Sequence, residues 1–327
     1  MARYILKRLI LIIPILIAVS IAVFLLLSLS PNDPALLILG ANASEADLEM
    51  FREQHGLNLP LVTQYLNYMS GLLQGDMGTS YKTMQDVSLM IGIRIWNTLI
   101  LCAGACLLIT ILGVILGIAM ALRQNSFFDN VMRVIVLIFS AMPQFWLGMM
   151  LILLLCVHWR LLPPMGDISD FSSMILPWLC TAMGGITVVS RTTRSSMLEI
   201  IHQDYIRTAR AKGLREKYIV RRHALKNALL PIITFLGRYV GASFGGAVVV
   251  ENVFSINGIG KMMVDALRQK DIPVVMGSVM ISALLMAVVN LITDIAYAYV
   301  DPRIKSQYVG KKRKKKTVHV EEGVSAA

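Results

Sequence analysis

The sequence predicts an all-α, polytopic membrane protein with six transmembrane helices. Three observations carry that prediction. First, 56% of the 327 residues are hydrophobic and only 16% are charged, against about 25% in ordinary soluble domains. Second, six apolar stretches approach or exceed the roughly 20 helical residues needed to cross about 30 Å of hydrocarbon. Third, the basic residues crowd into alternate connecting segments, the charge bias that orients membrane helices. This composition excludes a disordered chain, a nucleic-acid-binding tail protein and an ordinary soluble enzyme.

The expected spans lie near Leu9–Leu29, Thr98–Leu122, Val131–Val157, Met174–Val189, Leu229–Val250 and Pro273–Val300. The first follows Arg3, Lys7 and Arg8 like a signal peptide, but its apolar run exceeds the about 7–15 residues of a signal core, so it reads as an uncleaved anchor. Pro143 is expected to kink the third span, with Phe145 and Trp146 as anchors. The fourth is the weakest: it is short, holds Pro177, Gly184 and Gly185, and suits a helix inside the bundle better than one against lipid. Gly113 and Gly117 on the second span, and Gly237, Gly241 and Gly245 on the fifth, form small-residue faces for close helix contact.

Charge sets the expected orientation. With the N-terminus in the cytoplasm, residues 1–8, 123–133, 191–228 and 301–327 lie inside and hold 23 of the 31 basic residues, leaving 8 elsewhere. Both termini are then cytoplasmic. The chain divides into residues 1–29 (N-terminus and first span), 30–95 (an external region), 96–300 (a five-helix core with the inside loop 191–228) and 301–327 (a basic tail expected to be disordered, with the cluster Lys311–Lys316). The external region carries seven acidic and three basic residues and reads as short helices, with Ser44 and Asp47 as a capping pair.

Catalytic and metal signatures are missing. Gly258-Ile259-Gly260-Lys261 is followed by Met262, and Ser255 stands where a phosphate-binding loop needs its first Gly. The five His are dispersed, no Ser sits in GxSxG, and Cys102, Cys106, Cys156 and Cys180 lie in apolar stretches without metal or disulfide spacing. Twenty Met read as core filler rather than as a metal-binding set. Asp294 is the one clearly intramembrane acid and a candidate pathway residue; a hydrogen bond to Asn290 one turn back, or to a neighbouring helix, is the plainer reading.

The inside loop is the most informative stretch. Asp204 is placed to cap a short basic amphipathic helix bearing Ala209 and Ala211, and Gly213 to end it in the left-handed conformation. Topological charge explains the Lys and Arg of this loop, but not a capped helix with small residues and a glycine stop.

That segment, Asp204-Tyr205-Ile206-Arg207-Thr208-Ala209-Arg210-Ala211-Lys212-Gly213-Leu214, resembles the coupling loop of bacterial ABC importer permeases of the dipeptide/oligopeptide/nickel branch. Of the general Glu-Ala-Ala, three residues, Gly pattern, Ala209 and Gly213 are kept, while Arg207 and Thr208 replace the Glu and first Ala. His223-Ala224-Leu225-Lys226-Asn227-Ala228-Leu229-Leu230-Pro231 is similar to the same branch. So are Pro31-Asn32-Asp33-Pro34, Gly75-Asp76-Met77-Gly78-Thr79-Ser80, Pro143-Gln144-Phe145-Trp146-Leu147-Gly148, Glu251-Asn252-Val253-Phe254 and Asp301-Pro302-Arg303. Ile256-Asn257-Gly258-Ile259-Gly260 departs from the usual Trp-Pro-Gly-Leu/Val-Gly and loses a rigid Pro.

The resemblance implies a type I importer permease in the bacterial inner membrane, forming half of a translocation pathway for short peptides. It implies a second homologous permease, two ATPase subunits and an extracytoplasmic solute-binding protein as partners, besides membrane lipids. It implies that this chain binds no cofactor, and that ATP and Mg are used by the ATPases. Asp204, Tyr205, Arg207, Thr208, Ala209, Arg210, Ala211, Lys212 and Gly213 would form the ATPase contact. Pro143, Phe145, Trp146, Glu251, Phe254, Gly258, Gly260 and Asp294 are candidate gate or pathway residues, with Gly258–Lys270 an amphipathic helix at the interface. Nickel-chelate and glutathione importers share the pattern, so the substrate stays open. A stand-alone secondary carrier would call for inverted repeats or several buried charges.

Overall fold

The computed structural model describes residues 2–29, 33–40 and 42–300. The described residues form an α-helical bundle, with one isolated antiparallel bridge, Thr79 to Asp86. The basic tail, with Lys311–Lys316, lies outside the described residues, as does part of the Pro31–Pro34 motif.

Helix α1 (Ala2–Ser28) is the predicted anchor. Three short helices follow, α2 (Pro34–Leu39), α3 (Glu45–Gln54) and α4 (Leu61–Leu73), as expected for this region. The Ser44 hydroxyl caps α3 by accepting from Asp47 N at 3.2 Å and donating to its carboxylate at 2.6 Å. The Asp33 carboxylate caps α2 and takes both Arg52 Nε and Nη2, at 3.0 and 2.6 Å, which staples α2 to α3.

Helix α5 (Val87–Leu122) is longer than expected. It starts at Val87, so the boundary placed after residue 95 falls inside a helix. Its middle passes through a π-turn, Ile109–Gly113. The third span is not one kinked helix. Helices α6 (Phe127–Ala141) and α7 (Gln144–His158) meet at a 108° bend. Met142 is extended, as the residue before proline prefers, and Pro143 donates no N–H to a continuing helix. Counting this pair as one, the described helices make six candidate spans.

Helix α8 (Phe171–Ile201), expected as the weakest span, is the most enclosed of the long apolar helices. It packs against α5, α6, α7 and the later span α10 (Leu225–Val253). Its modest hydropathy follows from this position: helix neighbours, not lipid, cover Thr181, Thr187, Ser190 and Thr193. The small-residue face of α5 meets it. A β-carbon on Gly113 would lie 2.9 Å from the Val189 side chain, and one on Gly117 2.6 Å from Ser190 O.

Between α8 and α10 runs α9 (Asp204–Ala211), followed by one helical turn (Glu216–Tyr218) and a π-turn, Ile219–Ala224, that leads into α10. After α10 come α11 (Ile259–Gln269) and α12 (Ile272–Val300). Gly241 of α10 abuts Asn290 of α12, and Thr293 Oγ1 reaches Gly237 O at 3.5 Å. Gly245 faces open space, so the predicted glycine stripe is a contact over two of its three members.

Candidate functional site

Helix α10 has 29 residues, about 43 Å at 1.5 Å per residue. The two groups of residues singled out by sequence sit at its two ends.

At the start of α10 lies α9. Eight residues are too few to hold a helix in water alone, so the chain must seat it. Ile206 and Ala209, three apart and on one face, are buried in a cluster with Met197, Ile219 and Ala224. Ala209 is therefore not on the outward face where the sequence reading put it: its small side chain lets α9 lie close against its own chain. Burying Ile206 contributes roughly 1.5–3 kcal/mol. Arg210 adds a two-pronged bond to Glu216, Nε to Oε2 at 3.2 Å and Nη2 to Oε1 at 2.7 Å. This pair raises the Arg210 guanidinium and holds the Glu216 carboxyl below its ordinary range. Asn227 of α10 donates to the Tyr205 hydroxyl at 3.1 Å.

The N-cap position is Gln203, and it makes no side-chain cap; Asp204 stands in the first turn, where its charge faces the helix dipole. Gly213 ends the segment as expected, at φ +76° with open space around it. Asp204, Tyr205, Arg207, Thr208, Ala211 and Lys212 are exposed. The result is a protruding helix with a fixed back and an exposed, mostly polar front.

At the far end of α10, Glu251 is fully buried. Thr98 Oγ1 donates to its Oε1 at 2.6 Å, and Lys261 N to its Oε2 at 3.0 Å. The Thr98 hydroxyl itself accepts from Ile259 N at 3.0 Å. The two side chains thus satisfy first-turn amides of α11 that no residue of α11 could reach. Any side chain on Gly258 or Gly260 would collide with the Glu251 carboxylate, which explains two glycines so close together. Ser255 turns the chain at φ +55°. Phe254 is buried and its carbonyl accepts from Gly166 N at 2.8 Å. Helix α11 does not lie free at an interface: Ile259, Met262 and Ala266 pack against Val87, Met90 and Val274.

The other candidates do not join this cluster. Pro143 forms the elbow; Phe145 and Trp146 are exposed, while Gly148 turns inward against Val253 and Phe254. Asp294 pairs with Arg8 of α1, Nη2 to Oδ2 at 3.1 Å, so its partner is on a neighbouring helix.

Two buried acids escaped the sequence reading. Asp271, between α11 and α12, accepts from Ser80 Oγ at 2.5 Å and from Tyr81 N at 3.1 Å, and so pins the 79–86 turn to the bundle. Asp129 is fully buried at the start of α6 and takes Arg194 of α8 two-pronged, at 2.8 and 2.7 Å. Partners 65 and about 190 positions apart leave no local signal. Among the described residues no cluster of His, Cys, Asp or Glu is arranged to hold a metal ion.

Comparison with known proteins agrees with this architecture. A profile described as "Binding-protein-dependent transport system inner membrane component" matches residues 113–306, and its N-terminal companion matches residues 1–101. The chain is 41% identical over 315 residues to the oligopeptide transport system permease protein AppB of Bacillus subtilis, covering 93% of this chain and 100% of that one. It is 36% identical to the dipeptide transport system permease protein DppB of Escherichia coli K12 (93% and 99% covered). It is 38% identical to the glutathione transport system permease protein GsiC of Salmonella choleraesuis (93% and 99%). In fold it is similar to a chain of the inward-facing MetNI methionine ABC transporter, at a TM-score of 0.55 and 18% identity over 65% of this chain and 97% of that one. The chain therefore belongs to the family of inner-membrane permease components of binding-protein-dependent ABC transport systems.

Proposed function

We propose that this chain forms half of a translocation pathway for short peptides, paired with a second homologous permease, and that α9 is where it receives the work of ATP hydrolysis. The observation that carries the reading is the build of α9. A helix buried only on its Ile206–Ala209 side, and bound to the start of α10 through Tyr205 and Asn227, transmits a push on its free face into a 29-residue span. Two ATPase subunits would dock against Arg207, Thr208, Ala211 and Lys212 of this chain and of its pair. ATP and Mg act in those subunits. The chain has no nucleotide-binding loop in its sequence, and its relatives are permeases.

The 23-to-8 division of basic residues supports α9 and both termini on the cytoplasmic side. Residues 30–86 and α11 then face outward, where a solute-binding protein would deliver substrate. There Glu251, Thr98, Gly258 and Gly260 hold α11 as a rigid cap on the external end of α10, with Phe254 beneath it. Motion of α10 is in this way carried to the outer mouth of the pathway. Pro143, with its 108° elbow, gives the third span a second rigid joint against α8 and α10.

Peptides are favoured as substrate by the names of the relatives, AppB and DppB. The similarity to GsiC favours glutathione, itself a tripeptide, as second reading. The test is uptake by the complete importer in proteoliposomes, with a radiolabelled dipeptide, a pentapeptide and glutathione offered separately. ATP-dependent accumulation of either peptide supports the reading. Accumulation of glutathione alone moves it to the second, and ATP-independent, ion-driven accumulation rejects both.

A further inference from the structure

A groove of about 600 Å3 runs between α6 and α8, beside the end of α5, and the mechanism above does not use it. Its apolar part is made by Met120, Val136, Leu137 and Val188; its polar end carries Arg133, Arg191 and Arg194. The order is the same on both helices. On α8 the apolar Val188 is followed by Arg191 and Arg194 as the helix runs toward α9, which begins at Asp204. On α6 Arg133 precedes Val136 and Leu137. The groove therefore changes from apolar to cationic along the two helices, toward the end of the bundle where α9 protrudes.

Charge at that end does not balance. The described lining residues include three guanidinium groups and no acid. The carboxylate beside them, Asp129, is engaged two-pronged by Arg194 and lies 3.7 Å from Arg133. One buried carboxylate against three arginines leaves two positive charges at the rim of an apolar slot. Arg133 is 47% exposed in its side chain, and Leu137 60% exposed overall, so both parts are open to a ligand.

We propose that this groove binds an anionic phospholipid, its phosphate between Arg133 and Arg191 and one acyl chain along Leu137 and Val188. The ligand class follows from the amphipathic order of the groove. A free phosphate would leave the apolar slot uncovered, and a neutral lipid would leave the arginine excess unmatched. Basic pockets between membrane helices hold anionic headgroups by this chemistry. The headgroup would sit on α8 at Arg191, 13 residues before α9 begins at Asp204.

The test uses the complete importer in nanodiscs of phosphatidylcholine and phosphatidylglycerol, four to one, with a photoreactive benzoyl-phenylalanine in place of Leu137. The expected product is a phosphatidylglycerol-to-phosphatidylcholine adduct ratio raised above the bulk one-to-four ratio by about fivefold for each arginine contacting the headgroup. Replacing Arg133 and Arg191 together by Gln, with Asp129 and Arg194 untouched, should return the adducts to the bulk ratio while the subunits still assemble. Millimolar inorganic phosphate should not compete. A crosslink to the second permease in place of lipid, an unchanged ratio in the double variant, displacement by phosphate, or the lack of any lipid adduct would each overturn the proposal.

Discussion

The two ends of α10 are built on opposite plans. At its far end Glu251 and Thr98 are buried, their polar atoms are spent on α11 backbone amides, and glycines allow that approach. At its near end α9 keeps one apolar stripe against the chain and leaves its charged side chains in water. A buried carboxylate with all its bonds made inside the chain stiffens the fold. A short helix whose outer side chains, charged and small alike, stand exposed is a surface prepared for something else. The first end is thus expected to answer mutation with lost stability, the second with lost coupling.

The largest effect is expected where burial and charge combine. Asp129→Ala leaves Arg194 without its partner inside the bundle, a loss of about 3–5 kcal/mol, and should lower the thermal midpoint and the membrane level of the importer together. Next comes Glu251→Ala, which strands the Thr98 hydroxyl and the Lys261 amide at about 1–3 kcal/mol for each buried group left unsatisfied. Thermal unfolding of the purified complex measures both. A Glu251→Ala protein with wild-type stability would erase the contrast between the two ends.

At the α9 end the expected losses of stability are smaller and the losses of activity larger. Ala209→Trp overfills the seat behind α9 at about 1–3 kcal/mol. It should displace the helix without affecting insertion, and peptide-stimulated ATP hydrolysis reads the result. Gly213→Val forces a β-branched residue to φ +76°, about 1–3 kcal/mol of strain. It should misdirect the exit from α9 with the same readout.

The smallest expected effect is Arg210→Ala, which removes a half-exposed pair with Glu216 worth at most about 1 kcal/mol. Its sign with pH is set. The bond holds the Glu216 carboxyl below its ordinary range, so its stabilisation is present above the unfolded-state value and fades as pH falls through the lower folded one. Proteolysis of the 203–218 segment between neutral and acidic pH should therefore distinguish wild type from variant only while Glu216 is ionised.

What was legible in the sequence was local. Apolar runs gave the spans, Ser44 with Asp47 gave a cap, and Gly213 gave a left-handed stop, because each depends on neighbours within a few residues. The glycine faces at 113/117 and 237/241 were legible as contacts, though not their partners. What was hidden depends on distant pairs: Arg8 with Asp294, Asp129 with Arg194, Asp271 with Ser80. The inward turn of Ala209 was hidden for a different reason. Docking motif and seat share one short helix, whose buried stripe is the i,i+3 pair Ile206 and Ala209, and an alanine carries no local signal for the face it takes. The enclosed position of α8 shows the converse, since polarity that weakens a lipid-facing span is what a central helix among others tolerates.

The central claim, that the free face of α9 carries the ATPase stroke, is tested most directly by crowding that face without disturbing its back. Thr208 and Ala211 are exposed and lie outside the buried cluster that seats Ile206 and Ala209. With both replaced by Trp, the complete importer should keep its membrane level and its thermal midpoint, since exposed substitutions shift stability by within about 0.5 kcal/mol. Peptide-stimulated ATP hydrolysis and peptide uptake should both fall at least about tenfold, which is a coupling loss of about 1.4 kcal/mol. Normal levels with both activities intact would contradict the account and reduce α9 to a solvated turn between two spans.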